Sequence, residues 1–359
     1  MIEPSAEPTR DIACIIHVHS TYSDGSASVE ELIEATRASG RDALLLTDHD
    51  TLDAARGGWQ GRHDDVDLIV GHEVTPRGGH LLVFGVDQEV RKKGRDEAAI
   101  AAAAREAGGV SFAAHPFSSG SEMADRYRKG LGRPHLWPGL DRGGTDGIEL
   151  WSLETDSAES WRSPLEALAW MRDPESRLDG PPAHHLELWD RLCERRAVVA
   201  IGGLDSHARG VRLPGGRFFS PMSAERFFRM LGTYVQIPAS TPQAFEPTRD
   251  ALLEALRRGR CYLGIDATAP ARGFRFSGDR GGETVAMGAE VEAGAIELHV
   301  ELPHEGRIRL LRGGAEIAST QGRSLSHSVE GPGVYRIEAR RRHRGRERCW
   351  ILSNPIYLR

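Results

Sequence analysis

The chain has 359 residues, of which 39% are hydrophobic and 27% charged, with a formal net charge of -6. That length suits one large domain plus a small one, the composition is that of an ordinary soluble globular protein, and the acidic balance offers no electrostatic case for nucleic acid or membrane. Cys14, Cys193, Cys261 and Cys349 form no CxxC pair, which excludes a zinc ribbon or disulfide scaffold. Residues Met1 to Pro8 carry neither a cationic start nor an apolar core, and no stretch approaches a membrane span, so a cytoplasmic protein is expected.

From residue 11 to about 205 strands alternate with helices. The strand at 12–18 precedes a helix that Ser28 and Glu31 would close as a capping box and that ends near Gly40. Strands are expected at 43–47, 68–70 and 81–84, and an alanine-rich helix over 96–107 stops at Gly108-Gly109. Strands at 110–114 and 147–150, a helix at 186–196 and a strand at 197–201 continue the alternation. This predicts a largely parallel sheet, closed or distorted into a barrel. Residues 117–146 and 151–185 interrupt it as long irregular loops containing Trp137, Trp151, Trp161 and Trp170, either walls of a site or anchors on the core. An amphipathic helix over 249–259 and a strand over 260–265 finish the first domain, residues 1–267. Short alternating strands at 296–300, 307–311 and 334–337 then predict a small all-β, immunoglobulin-like sandwich over 268–359, about 90 residues. The basic run 340–348 reads as a solvated hairpin.

The polar residues at the strand ends carry the chemistry. His17 and His19 alternate on a strand and so project together, with Asp24 close behind. Asp48-His49-Asp50 follows 43–47, His72-Glu73 follows 68–70, and His80 stands at the head of 81–84. His115 follows 110–114, and Asp205-Ser206-His207 follows 197–201. Carboxyl ends of parallel strands build active sites. So many imidazoles and carboxylates exceed what one ion needs, which predicts two or three divalent metals.

The motifs His17-Val18-His19-Ser20, Ser23-Asp24-Gly25, Thr47-Asp48-His49-Asp50, Gly71-His72-Glu73-Val74, Ala114-His115-Pro116 and Gly203-Leu204-Asp205-Ser206-His207 resemble those of the polymerase-and-histidinol-phosphatase (PHP) metallohydrolases. The stretch from Trp350 to Tyr357 is also similar to the end of a PHP subgroup with an appended β-sandwich. The resemblance implies a distorted seven-stranded β/α barrel holding two or three Mn, Zn or Fe ions. It assigns His17, His19, Glu73 and Asp205 to one metal. Glu73, bridging, with His80 and His115 would hold a second, and Asp24, His49 and His207 a third. Asp24 stands where many members carry histidine. His72 is expected to be structural, and Asp48 to orient an imidazole.

Closely spaced cations acidify a bridging water and neutralise charge on a phosphoryl or carbonyl oxygen. The leading expectation is hydrolysis of a phosphate ester, with Asp205, His49 and His207 in the catalytic set, either imidazole as general acid, and Arg209 holding phosphate. A carboxylester, carbamate or amide hydrolase using the same centre is the alternative, and a metal-stabilised binding module a third. The expected partner is a small ester, phosphorylated in the leading case. No G-x-S-x-G, P-loop or G-x-G-x-x-G after a strand points elsewhere.

Overall fold

The computed structural model describes residues 8–123, 133–209, 211–212, 218–219 and 222–359, which form a mixed α/β protein rich in sheet. Strand β1 (Thr9–Val18) leads into α1 (Val29–Ala38), where Ser28 accepts from the Glu31 N–H and the Glu31 carboxylate accepts from the Ser28 N–H, the expected capping box. Next come β2 (Ala43–Leu46), α2 (Asp53–Arg56), β3 (Gly61–His63), β4 (Val66–Val70), β5 (His72–Val74) and β6 (His80–Phe84). They are followed by α3 (Glu97–Glu106), β7 (Val110–Ala114), β8 (Gly147–Ser152), α4 (Leu153–Ser160), α5 (Pro164–Arg172), α6 (Ala183–Arg195) and β9 (Val199–Gly203). A small ladder of β10 (Val211–Arg212) and β11 (Phe218–Phe219) precedes α7 (Ala224–Phe228), β12 (Gly232–Pro238), α8 (Phe245–Arg257) and β13 (Cys261–Gly264).

Parallel pairing holds in two blocks, β1–β2–β4 and β7–β8–β9, while β5, β6 and β7 run antiparallel. Only residues 75–79 join β5 to β6, and a parallel crossover needs roughly a dozen or more. Residues 151–185, expected to be irregular, instead hold α4, α5 and the start of α6. Ser163 caps α5 by accepting from the Glu166 N–H, and Pro164 sits in the first turn, where its missing donor costs nothing. In 117–146 the described residues carry one 3-10 turn, Leu140–Arg142, and 124–132 lie outside the described residues.

The strands form no single closed sheet. β5 to β9 make one sheet, and β1, β2 and β4 belong to another that continues through β12 and β13. Two seams tie them together. β4 runs into β5 across Gly71 alone. Beyond β9 the Ser206 N–H donates to the His17 carbonyl at 3.1 Å, and the His19 N–H donates to the Ser206 carbonyl at 2.9 Å. Ile16, Leu45, Ile69, Leu82, Phe112 and Ile201, each from a different strand, share one apolar core. The opposite strand faces pack on Leu32 of α1, Ile100 of α3 and Trp189 of α6. Burial on both faces explains the nearly continuous apolar runs of these strands.

The C-terminal strands are β14 (Arg275–Arg280), β15 (Glu283–Ala286), β16 (Glu290–Val291), β17 (Ile296–Arg312), β18 (Ala315–Val329), β19 (Gly333–His343), β20 (Arg346–Ser353) and β21 (Ile356–Leu358). They do not stand apart, because β20 pairs with β13 and so extends the first sheet. The two strands expected at 296–300 and 307–311 are one bent strand, β17. Their apolar core, with Tyr335, Trp350 and Phe274, also takes in Tyr234 and Tyr262. A buried bidentate pair adds to the joint: Arg336 on β19 donates to both Asp190 oxygens on α6, at 2.7 and 2.8 Å. The basic run forms the expected β19–β20 hairpin, with Arg340 paired to Glu338 and Arg344 to Asp173. No helix among the described residues is long and apolar enough to cross a membrane.

Candidate metal centre

The site forms where the strand ladders stop. His17 lies at a register shift in the β1–β2 pairing and takes a left-handed φ of 66°; His115 (29°) and Asp205 (51°) do likewise just after β7 and β9. Non-glycine residues in that region are strained and cluster at functional sites. Gly25 closes the turn that presents Asp24, since a Cβ there would lie 2.1 Å from the His19 carbonyl oxygen.

Glu73, fully buried on β5, is the hub. Its Oε1 lies 2.9 Å from His80 Nδ1, 3.2 Å from His115 Nε2 and 3.6 Å from His17 Nε2. Its Oε2 lies 2.8 Å from His49 Nδ1 and 3.6 Å from His19 Nε2. Asp205 Oδ1 is 3.3 Å from both His17 Nε2 and His19 Nε2. Asp24 Oδ1 is 3.4 Å from His49 Nε2 and 3.3 Å from His207 Nε2. Four ligand groups result among the described residues: His17/His19/Glu73, His17/His115/Asp205, Glu73/His80/His115 and His19/Asp24/His49/His207, with candidate atoms within 4.8 Å of one another in each.

The charges here call for cations. Burial opposes protonating His17, yet Glu149, Asp205 and Glu73 outweigh it and raise its pKa. His49 and His207 are likewise carried up to about 10 and about 9, against burial, chiefly by their bonds to Asp24. His19 goes the other way, to about 4, because burial outweighs the pull of the nearby Asp205 carboxylate. Despite burial, the facing imidazoles hold Glu73 and Asp205 well below the usual carboxylate range. The donor set fits divalent metal. His17 Nε2, both nitrogens of His19, His49 Nδ1, Glu73 Oε2 and His115 Nδ1 are buried without a hydrogen-bond partner. So many orphaned polar atoms in one place are costly unless a cation satisfies them. Although His49 Nδ1 and Glu73 Oε2 lie 2.8 Å apart, they lack the alignment of a hydrogen bond.

Every residue expected at the centre is brought together: His17, His19, Asp24, His49, Glu73, His80, His115, Asp205 and His207. The grouping differs from the expected one: Asp205 falls with His17 and His115 instead of with His17, His19 and Glu73, although its Oδ1 lies 3.3 Å from both His17 and His19 Nε2, and His19 also joins the Asp24 group. His72 turns away, its Nε2 accepting from the Val90 N–H at 3.0 Å, and burial lowers its pKa to about 4. Asp48 orients no imidazole. It accepts from the Ser20 N–H and from the Ser20 and Ser23 hydroxyls, and so fixes the turn that carries Asp24. Arg209 lies exposed at the rim, its Nε 3.2 Å from Glu154 Oε1. Trp137, Trp151 and Trp170 are buried in the core and Trp161 packs against it, so they anchor the insertions.

Three groups escaped the sequence reading. Glu149 on β8 contacts His17 and His115; Thr155 on α4 donates to Asp205; His135 packs against His80 with ring centroids 4.3 Å apart and the rings tilted by 41°. A carboxylate between Ile148 and Leu150 in a buried strand was the one legible signal, since such a group must be partnered. His135 and Thr155 fall in segments without strand or metal-motif character.

Comparison with known proteins gives a family for this arrangement: residues 16–116 match the family described as "PHP domain". That stretch, less than a third of the chain, is similar to PHP domains. Among curated proteins, it is 38% identical over 82 residues to a phosphoribosyl 1,2-cyclic phosphate 1,2-diphosphodiesterase of Eggerthella lenta, covering 20% of this chain and 30% of that protein. It is 33% identical over 147 residues to an error-prone DNA polymerase of Mycobacterium bovis, covering 36% of this chain and 13% of the polymerase. The chain thus spans less than a third of either relative. A crystal structure of a two-domain protein of Bacteroides vulgatus "containing predicted PHP-like metal-dependent phosphoesterase" superposes over 99% of this chain and 98% of that one, at 16% identity and a TM-score of 0.42. The PHP match ends at His115-Pro116, so Asp205 and His207 enter the centre from outside it.

Proposed function

We propose that the protein is a metal-dependent phosphoesterase acting on a small phosphorylated ester. The observation that carries this reading is the convergence of six imidazoles with Asp24, Glu73 and Asp205 in one set of overlapping ligand groups. Two or three divalent ions, Mn, Zn or Fe, would be held by His17, His19, Glu73 and Asp205, by Glu73, His80 and His115, and by Asp24, His49 and His207. Such ions acidify bound water and neutralise charge building on phosphoryl oxygens. Glu73 would contribute to more than one of them, since its two oxygens face different sets of imidazoles. His49, with 29% of its side chain open against 10% for His207, has the better access for passing a proton to a leaving group. His207 is fixed by donating from Nδ1 to the Asp205 carbonyl at 2.9 Å, which leaves Nε2 facing Asp24. Arg209, at the rim, is the residue we assign to phosphate. The cyclic phosphodiesterase relative favours phosphate over a carboxylester or amide, and the core packing of the tryptophans removes the apolar wall that an acyl substrate would use. We read the two tied sheets as the distorted seven-stranded barrel, with residues 1–267 as the catalytic unit and 268–359 as a β unit packed on it.

The test is metal analysis of the purified chain with parallel assays on p-nitrophenyl phosphate, bis-p-nitrophenyl phosphate and p-nitrophenyl acetate. His17→Ala and Asp205→Ala should lose bound metal and phosphate-ester turnover together. Full turnover by chelator-stripped protein ends the proposal.

A further inference from the structure

Behind the centre, Glu149 stands on the central strand of the parallel β7–β8–β9 block, with 1% of its surface accessible. Its two oxygens go to two different ligand residues. Oε1 accepts from His17 Nδ1 at 2.9 Å, and Oε2 accepts from the His115 backbone N–H at 2.6 Å. We infer that Glu149 is the positioning residue of the metal centre: one carboxylate that fixes the tautomer and ring direction of His17 and the backbone of His115 together.

The chemistry of the acceptor requires the first half. An ionised carboxylate only accepts, so the proton of His17 must sit on Nδ1, leaving the Nε2 lone pair for metal. Nε2 is the atom that faces Glu73 and Asp205 and has no hydrogen bond. Backbone conformation argues for the second half. His17 and His115 both take left-handed φ values, and such strain persists only where surrounding contacts over-determine it. Glu149 supplies one such contact to each.

Space for this carboxylate is built into the neighbouring strand. A Cβ at Gly203 on β9 would lie 1.9 Å from Glu149 Oε1 and 3.1 Å from His17 Cβ. Glycine at that position therefore opens the gap through which Glu149 reaches His17. Such outer partners are worth about 10–100-fold in metal affinity.

The inference rests on the metal-centre reading, and its test separates the two. Zinc affinity of the full-length chain is measured by chelator competition for wild type, Glu149→Gln, Glu149→Asp and Gly203→Ala. The His17 ring nitrogens are assigned by 15N–1H correlation in the zinc-loaded and zinc-free wild type. In Glu149→Gln one oxygen becomes a donor and can no longer serve both His17 and His115. We expect a loss of about 10–100-fold in zinc affinity in Gln and Gly203→Ala, partial recovery in Asp, and a His17 proton on Nδ1 in wild type. Unchanged affinity in Glu149→Gln overturns the inference, as does a His17 proton on Nε2 in the zinc-loaded wild type, a result that needs no variant to fold. A loss that merely parallels unfolding, followed by far-ultraviolet circular dichroism, also overturns it. Wild type that binds no zinc overturns the metal reading as well.

Discussion

Replacing Glu73 by Gln tests how far the centre depends on a single shared carboxylate. Five imidazole nitrogens, from His17, His19, His49, His80 and His115, lie within 3.6 Å of its two oxygens. Gln keeps the volume but removes the charge and turns one acceptor into a donor. Two ligand groups contain Glu73, while those built on Asp205 and on Asp24 do not. The expected outcome is partial loss: the Asp24/His49/His207 ion stays, and affinity at the shared positions falls by at least about a hundredfold, or ~2.7 kcal/mol. With zinc initially a thousandfold above its dissociation constant, binding stabilises the fold by about 4.1 kcal/mol, and after that loss by only about 1.4. An unfolding entropy of about 2.1 cal/mol/K per residue gives about 0.75 kcal/mol/K for this chain. The zinc-dependent rise in melting temperature should therefore shrink by about 4 °C. The assay pairs thermal unfolding, with and without zinc, with metal counting after gel filtration. A variant that keeps its full metal complement and the wild-type zinc-dependent rise would refute the hub role.

Two further predictions concern stability. His185 on α6 is 6% exposed and its Nδ1 faces the Leu150 carbonyl; burial, helped by His184, lowers its pKa from 6.5 to about 4. Below pH 6.5 the unfolded chain takes up a proton that the folded one refuses until pH 4, so stability present above 6.5 falls by ~3 kcal/mol across that window. Denaturant unfolding at several pH values should show a shallower slope for His185→Phe, and an unchanged slope counts against the assignment. Asp190→Ala strands the Arg336 guanidinium, whose side chain is only 3% exposed, and should cost about 3–5 kcal/mol. The double variant Asp190→Leu with Arg336→Met should cost less than that single one by urea midpoint, and a single-variant loss below about 1 kcal/mol would show the pair to be unimportant.

Much of the centre was legible because strand ends are marked twice over, by the end of an apolar run and by a polar residue that would otherwise be buried without purpose. His17, Glu73, His115 and Asp205 each stand at such a junction. Glu149 was hidden because it lies inside the strand, where the apolar residues around it set the reading. The helices within 151–185 were missed for another reason. Prolines at 164, 174, 181 and 182 punctuate that stretch, and its tryptophans mask helical spacing, while the decisive signal was local: Ser163-Pro164 with Glu166 at the cap. Strand lengths in the C-terminal part also exceeded expectation, since β17 and β18 pair along most of their course, on both sides of a break between Glu301 and Gly306.

Backbone strain explains why the ligands sit where they do. Inside the parallel blocks, a left-handed residue would break ladder bonds and cost about 1–3 kcal/mol. At the β1–β2 register shift, where His17 sits, and just past the ends of β7 and β9, the backbone groups are satisfied differently. The His17 carbonyl accepts from the Ser206 N–H, the Ser206 carbonyl from the His19 N–H, and Glu149 takes the His115 N–H. Each strained turn thus exchanges a regular bond for one that ties two ligand-bearing segments together. The first two of these bonds make the seam between β1 and the chain after β9, so contacts that hold the two sheets against each other also aim His17, His19 and Asp205. At this seam the joining of the sheets and the aim of the imidazoles share the same bonds, and a substitution that loosens it should move the imidazoles before it unfolds the chain.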